Sequence, residues 1–199
     1  DALATSTTAN DNTAIGYNCL NANTSGTQNV ALGNYALDAN TTADDNTGVG
    51  YAALGANTTG DKNTAVGKDS LLLNTTGTLN VAVGQAALDA NTTGSQNTAC
   101  GEGALSGNTT ANDNTAVGYH SLEANTTGAN NVAVGKDALL SNTTAAHNTG
   151  IGQASLTLLT TGDQNTAVGS YSLQAATTGE YNVAMGYNAL GANTTASNN

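Results

Sequence analysis

Glycine recurs every 17 residues along this chain without an insertion or deletion, at Gly16, Gly33, Gly50, Gly67, Gly84, Gly101, Gly118, Gly135, Gly152, Gly169 and Gly186. Four residues before each stands an asparagine, at Asn12, Asn29, Asn46, Asn63, Asn80, Asn97, Asn114, Asn131, Asn148, Asn165 and Asn182. Four residues after each stands a leucine, at Leu20, Leu37, Leu54, Leu71, Leu88, Leu105, Leu122, Leu139, Leu156, Leu173 and Leu190, and eight after each a threonine. A period of this length marks a repeat architecture: one unit is too small to bury its apolar side alone and does so by stacking on its neighbours. Residues 1–199 are therefore expected to form one tandem-repeat domain of about 11 coils. The first and last repeats are partial, so the chain reads as a window of a longer array.

Helical spacing fails, because every repeat carries glycine and all but one, with Thr24-Ser25, carry Thr-Thr, which are poor helix formers. Strand spacing fits two short pieces. In the first, Thr13 and Ile15, or Val30 and Leu32, are expected to face inward, with a small residue (Ala14, Ala31, Gly48) facing out between them. That small column would form a smooth stripe along the rod, suited to close approach of another chain and equally to a narrow twisted sheet. In the second piece Leu20, Ala22 and Thr24 share a parity and are expected to face inward. The count between valine and leucine is odd, so the chain must bend between them, and the glycine is placed at that bend. Thr-Thr-Gly, as at Thr58 to Gly60, supplies a second corner, with alanine for glycine at Ala43, Ala111, Ala145 and Ala196. Proline is absent, as expected where each backbone N–H bonds to the next coil. The expected fold is all-β: a parallel β-solenoid, of β-roll or β-helix type, with 17-residue coils.

The asparagines have a packing reason to recur. Identical amides stacked one strand spacing apart can hydrogen-bond along the axis in a ladder that fixes register. The column before Thr-Thr is asparagine except at Leu159 and Ala176, in adjacent coils. Asn-Thr-Thr also spells a glycosylation sequon at Asn40, Asn57 and Asn74, but ladder packing explains the repetition without glycans. Cys19 and Cys100 lie five coils apart, roughly 24 Å at the strand spacing. They are beyond disulfide reach and are expected to be small core residues. Val replaces Thr every third coil (Val30, Val81, Val132, Val183), and Tyr51, Tyr119 and Tyr187 recur every fourth, as duplication of multi-coil blocks would leave them.

The net charge of -11 rests on 14 acids against three lysines, Lys62, Lys68 and Lys136, with no arginine. Nucleic acid and anionic membrane surfaces need cationic donors and are poor partners for such a chain. No run is long and apolar enough for membrane insertion. The acids fall in variable columns, such as Asp44, Asp61 and Asp163, and read as a solvated face that keeps a rod soluble. No set of acids and bases assembles into a catalytic groove. Lys68 beside Asp69 and Lys136 beside Asp137 make ion pairs at most, and His120 and His147 stand in different columns, too scattered for a metal. We therefore expect no enzyme, no cofactor and no metal.

The segments Asn29-Val30-Ala31-Leu32-Gly33, Asn80-Val81-Ala82-Val83-Gly84 and Asn131-Val132-Ala133-Val134-Gly135 resemble the Ser-Val-Ala-Ile-Gly repeats of trimeric autotransporter adhesin heads. Similar tandem repeats occur in tail-fibre-like surface proteins of bacteria and phages. The resemblance spans essentially the whole chain and implies a left-handed parallel β-roll, three chains packed side by side, and a role in attachment. The coil here is longer, and neither a coiled-coil stalk nor a membrane anchor is present in these residues.

The leading expectation is a structural or attachment module: the rod or head of an extracellular fibre, adhesin or tail fibre on a cell or virion surface. It would self-associate as a homotrimer or filament and present a surface to a host or glycan receptor. Two alternatives remain open: an ice-binding solenoid, in which Thr and Asn arrays order water, and a glycan-decorated matrix filament.

Overall fold

The computed structural model describes residues 2–5 and 8–199. Each coil contributes one three-residue strand, from β1 (Thr13–Ile15), β2 (Val30–Leu32) and β3 (Thr47–Val49) at 17-residue steps to β11 (Val183–Met185). The strands make a single parallel sheet in chain order, an all-β solenoid of 17-residue coils. Register is fixed by the repeat: Thr13 pairs with Val30, Ala14 with Ala31 and Ile15 with Leu32.

Hydrogen bonding between coils continues beyond the strands. Leu37 donates its N–H to Ala53 O at 3.0 Å, Tyr35 to Tyr17 O at 2.8 Å, and Thr41 to Thr58 O at 3.1 Å. Donors thus point both forward and backward along the axis. A proline at any of these positions would leave one carbonyl unpaired, which accounts for its absence from a chain of this length.

The strands sit the opposite way round from the sequence expectation. The middle residue is the buried one: Ala31, Ala65, Ala82, Ala99, Ala116 and Ala133 are fully enclosed. Thr13 with Ile15, Val30 with Leu32, and their equivalents face outward. The small column is therefore the core face of the sheet, and no outward stripe of Ala and Gly exists. Its size follows from what it meets, since a Cβ built on Gly48 would lie 3.4 Å from Cγ of the buried Leu37. A larger residue would displace the leucine column.

The second expected strand is a series of turns. Leu20 through Leu173 are fully buried, whereas Ala22 is half-buried, its equivalent Leu73 is exposed, and Thr24 is exposed. Leu190, near the end of the rod, is 39% exposed. Alternation breaks down because three residues per coil adopt left-handed backbone. These are the residue before each ladder asparagine (Gln28, φ 60), the second after each glycine (Tyr35, φ 61) and the leucine itself (Leu37, φ 52). Each reverses the chain locally, and together they turn the corners of the coil.

Left-handed backbone is most costly for side chains branched at Cβ. The leucine column, with φ between 47 and 56 in every coil, carries no Val or Ile, although the strands hold ten valines and two isoleucines. Leucine branches one carbon further out and so combines this backbone with a full-sized buried side chain.

The glycine is also explained differently. It does not bend the chain to bring valine inside, since valine faces outward. Gly101 has φ 139, and a Cβ there would lie 2.5 Å from Gly118 O and 2.7 Å from Gly118 C of the next coil. Positive φ and direct backbone stacking both exclude a side chain.

These backbone assignments separate two conservative changes at Leu105. Leu105→Met should cost under about 1.5 kcal/mol, as volume-conserving core changes do. Leu105→Ile, of equal volume, should cost about 2–3 kcal/mol, because it adds a Cβ branch to left-handed backbone. Denaturant unfolding of the two variants makes the comparison.

Candidate functional site

Inside the coil, two asparagine columns run along the rod, the first unbroken and the second interrupted at Leu159 and Ala176. In the first, the side-chain carbonyl accepts the backbone N–H of the next coil's asparagine: Asn29 N to Asn12 Oδ1 at 2.9 Å, Asn46 N to Asn29 Oδ1 at 3.0 Å. The Nδ2 of Asn29 reaches across the core to Ala43 O at 2.8 Å. In the second column the bonds run amide to amide, with Asn40 Nδ2 to Asn23 Oδ1 at 3.0 Å and Asn74 Nδ2 to Asn57 Oδ1 at 2.8 Å. Asn40, Asn57 and Asn74 are fully buried. They therefore do not face outward with the neighbouring threonine, as an Asn-Thr water-ordering array would require, and these sequons are closed to a glycosyltransferase once the coil has folded.

Two further columns satisfy backbone groups. The first threonine of each Thr-Thr donates its hydroxyl to the next coil, as Thr58 Oγ1 does to Thr75 O at 3.0 Å. Two residues before the first ladder asparagine, side-chain oxygens accept N–H groups of the preceding coil. Asp61 Oδ1 takes Asp44 N at 2.9 Å, Asp163 Oδ1 takes Ala146 N at 2.7 Å, and Ser95 Oγ takes Thr78 N at 3.0 Å. The acids of this column are thus acceptors in the stack as well as solvated charges. The exchange of Asp, Asn and Ser within one column was the available signal, since all three offer an oxygen at similar reach.

The outer face of the sheet carries the most unusual surface. One row holds Thr13, Val30, Thr47, Thr64, Val81 and their successors, and the other Ile15, Leu32, Val49, Val66, Val83, Cys100, Val117, Val134, Ile151, Val168 and Met185. Neither row contains a charged residue in any coil. Cys100, expected in the core, is exposed here between Val83 and Val117, whereas Cys19 is buried and donates its thiol to Gly16 O at 3.1 Å. Eleven strands at about 4.8 Å spacing make this face roughly 50 Å long. Two outward side chains per strand give it an area of roughly 500 Å², one row apolar throughout and the other threonine in seven coils of eleven.

Charged residues lie on two edges of the coil, some just before the ladder asparagine, as Asp44, Asp61 and Lys62, and the others on the turn edge after the glycine. Lys68 bonds to Asp69, and Lys136 Nζ lies 3.3 Å from Asp137. His120 Nδ1 lies 3.2 Å from Glu123 Oε2 and its ring stacks on Tyr119 with centroids 3.8 Å apart, while His147 lies on another column. Burial raises the carboxyls of Asp38 and Asp89, which occupy the same column three coils apart. Among the described residues no group of three or more His, Cys, Asp or Glu could hold a metal ion, and no helix is long and apolar enough to cross a membrane.

Comparison with protein-family models, with curated proteins and with solved structures gives no match for this chain.

The ladders explain one orphaned atom. Asn142 Oδ1 is buried without a partner because the residue 17 further on, Leu159, has no amide to donate. Leu159→Asn alone should supply that donor but create a new orphan facing Ala176. Leu159→Asn with Ala176→Asn should complete the ladder to Asn193. A double-mutant cycle on thermal stability should therefore show favourable coupling of about 1 kcal/mol or more.

Proposed function

We propose that this chain is a non-catalytic structural rod that associates laterally with copies of itself through the outer face of its sheet. In this reading it forms the shaft or head of an extracellular fibre, adhesin or tail fibre on a cell or virion surface. The observation that carries the proposal is the continuous, uncharged face repeated at every coil, one row of it apolar throughout and the other threonine or valine. Each outward Val, Ile or Leu left in water forgoes the transfer free energy of about 25 cal/mol per Å² that burial provides. A second copy carries the same face at the same period, so identical rows can meet over the full length of both rods. The net charge of -11 is no obstacle, because the face itself is neutral and the acids lie on other columns. The resemblance to adhesin heads favours three chains and attachment as the role, with a host-surface or glycan receptor as the partner.

A second reading has one observation behind it. Thr13, Thr47, Thr64, Thr98 and Thr115 stand outward on the same regular face as the valine row, an array of hydroxyls and methyls suited to ordering water. Thermal hysteresis no greater than that of a control protein removes that reading.

Sedimentation velocity of the intact chain should show a discrete oligomer, three chains on the adhesin reading, that dissociates in Val83→Lys/Val117→Lys while β circular dichroism persists. A wild-type chain that remains monomeric at high concentration contradicts the proposal.

A further inference from the structure

On the turn edge, away from the sheet face, coils two to four form an open groove of about 370 Å³. It lies toward the small end of the range of about 300–1,000 Å³ in which small-molecule sites fall. Tyr35 and Tyr51 line one side, their rings meeting at 75° with centroids 5.8 Å apart. Leu72 and Leu73 line the other, and Asp38 closes one end. Gly55 opens the floor: a Cβ there would approach Ala52 O at 3.2 Å and Leu72 Cδ1 at 3.4 Å.

The chemistry of this lining is selective. Aromatic faces carry negative charge density and attract cations, most strongly those whose hydration is weak. Asp38 is half-buried, burial raises its pKa, and no lysine or histidine pairs with it among the described residues. Its carboxylate accepts backbone N–H groups of Ala39 and of Asp38 itself, and a partly desolvated carboxylate of this kind gains from a cation that needs little hydration. The neighbouring Lys68 is held by Asp69 and offers Asp38 no charge. An anionic ligand would meet the repulsion of a chain of net charge -11. A sugar would find no amide side chain for its hydroxyls, and much of the wall is leucine and tyrosine.

We propose that this groove binds an alkylated ammonium group, its methyls against Tyr35 and Tyr51 and its charge facing the Asp38 carboxylate. The site lies within one chain and does not rest on the self-association reading. A second cleft on the same edge, lined by Asp89, Glu102, His120 and Glu123, supplies an internal comparison. It is richer in acids but has no tyrosine in its lining, its one ring being the His120 imidazole.

The test is titration of the intact chain with choline, followed by tyrosine fluorescence and by the NMR shift of the choline methyls, with glucose and acetate as neutral and anionic comparisons. Saturable binding of choline alone is expected. Tyr51→Ala and Asp38→Asn should each weaken it by about fivefold or more, and Tyr119→Ala should leave it unchanged. Tyr51→Leu, which keeps apolar bulk in the groove, should lose binding as Tyr51→Ala does, and thermal melting reports whether each variant is folded. No saturable response to choline at tens of millimolar overturns the assignment. So does an equal response to glucose, or wild-type affinity in folded Tyr51→Leu.

Discussion

Everything in this molecule follows from stacking one coil on the next in register, at the spacing of a hydrogen-bonded strand. At that distance each residue lies directly above its equivalent, so a side chain that cannot tolerate its own copy cannot occupy the column. Asparagine tolerates it because its amide donates at one end and accepts at the other, as Asn40 does between Asn23 and Asn57. Buried leucines tolerate it by dispersion contact. The glycine column shows the limit, since Gly101 approaches Gly118 so closely that no Cβ fits.

The same constraint shares the polar burden among columns. A coil with only three residues in regular strand leaves most of its backbone groups to be paired in turns. They are paired with the equivalent turn of the neighbouring coil, assisted by side-chain oxygens from Asn, Thr, Asp and Ser columns. This is why a chain without proline, phenylalanine or tryptophan, and with few large apolar residues, can be ordered throughout its described length. Its core is a leucine column flanked by alanines and satisfied amides, and the longer apolar side chains of the strands are left outside, where another chain can cover them.

The period, the solenoid and the asparagine ladders were legible in the sequence because each is a property of columns, and columns can be read without coordinates. The facing of Val30, Ala31 and Leu32 was not, because alternation fixes which residues share a side but not which side is the interior. Large apolar residues suggest an inward assignment, and in a coil this narrow the interior accepts only alanine or glycine beside leucine. A signal for the corners was present all the same. The three columns in left-handed backbone, represented by Gln28, Tyr35 and Leu37, contain no Val, Ile or Thr in any coil, in a chain where threonine is abundant. Read as the footprint of positive φ, that absence marks the corners and rules out a second strand through Leu37. The grooves of the turn edge depend on departures confined to one or two coils, such as Gly55 and Gly103, which a consensus averages away.

The claim on which the fold and the proposed contact face both depend is that the middle residue of each strand points in and its neighbours point out. Hydrogen exchange, resolved coil by coil, on Ala99→Lys and Thr98→Lys tests it directly. Ala99→Lys places a charge in the closed core and should open its own coil and those on either side, whereas Thr98→Lys should leave their protection at the wild-type level. Protection retained in Ala99→Lys and lost in Thr98→Lys would contradict the assignment and, with it, the apolar outer face.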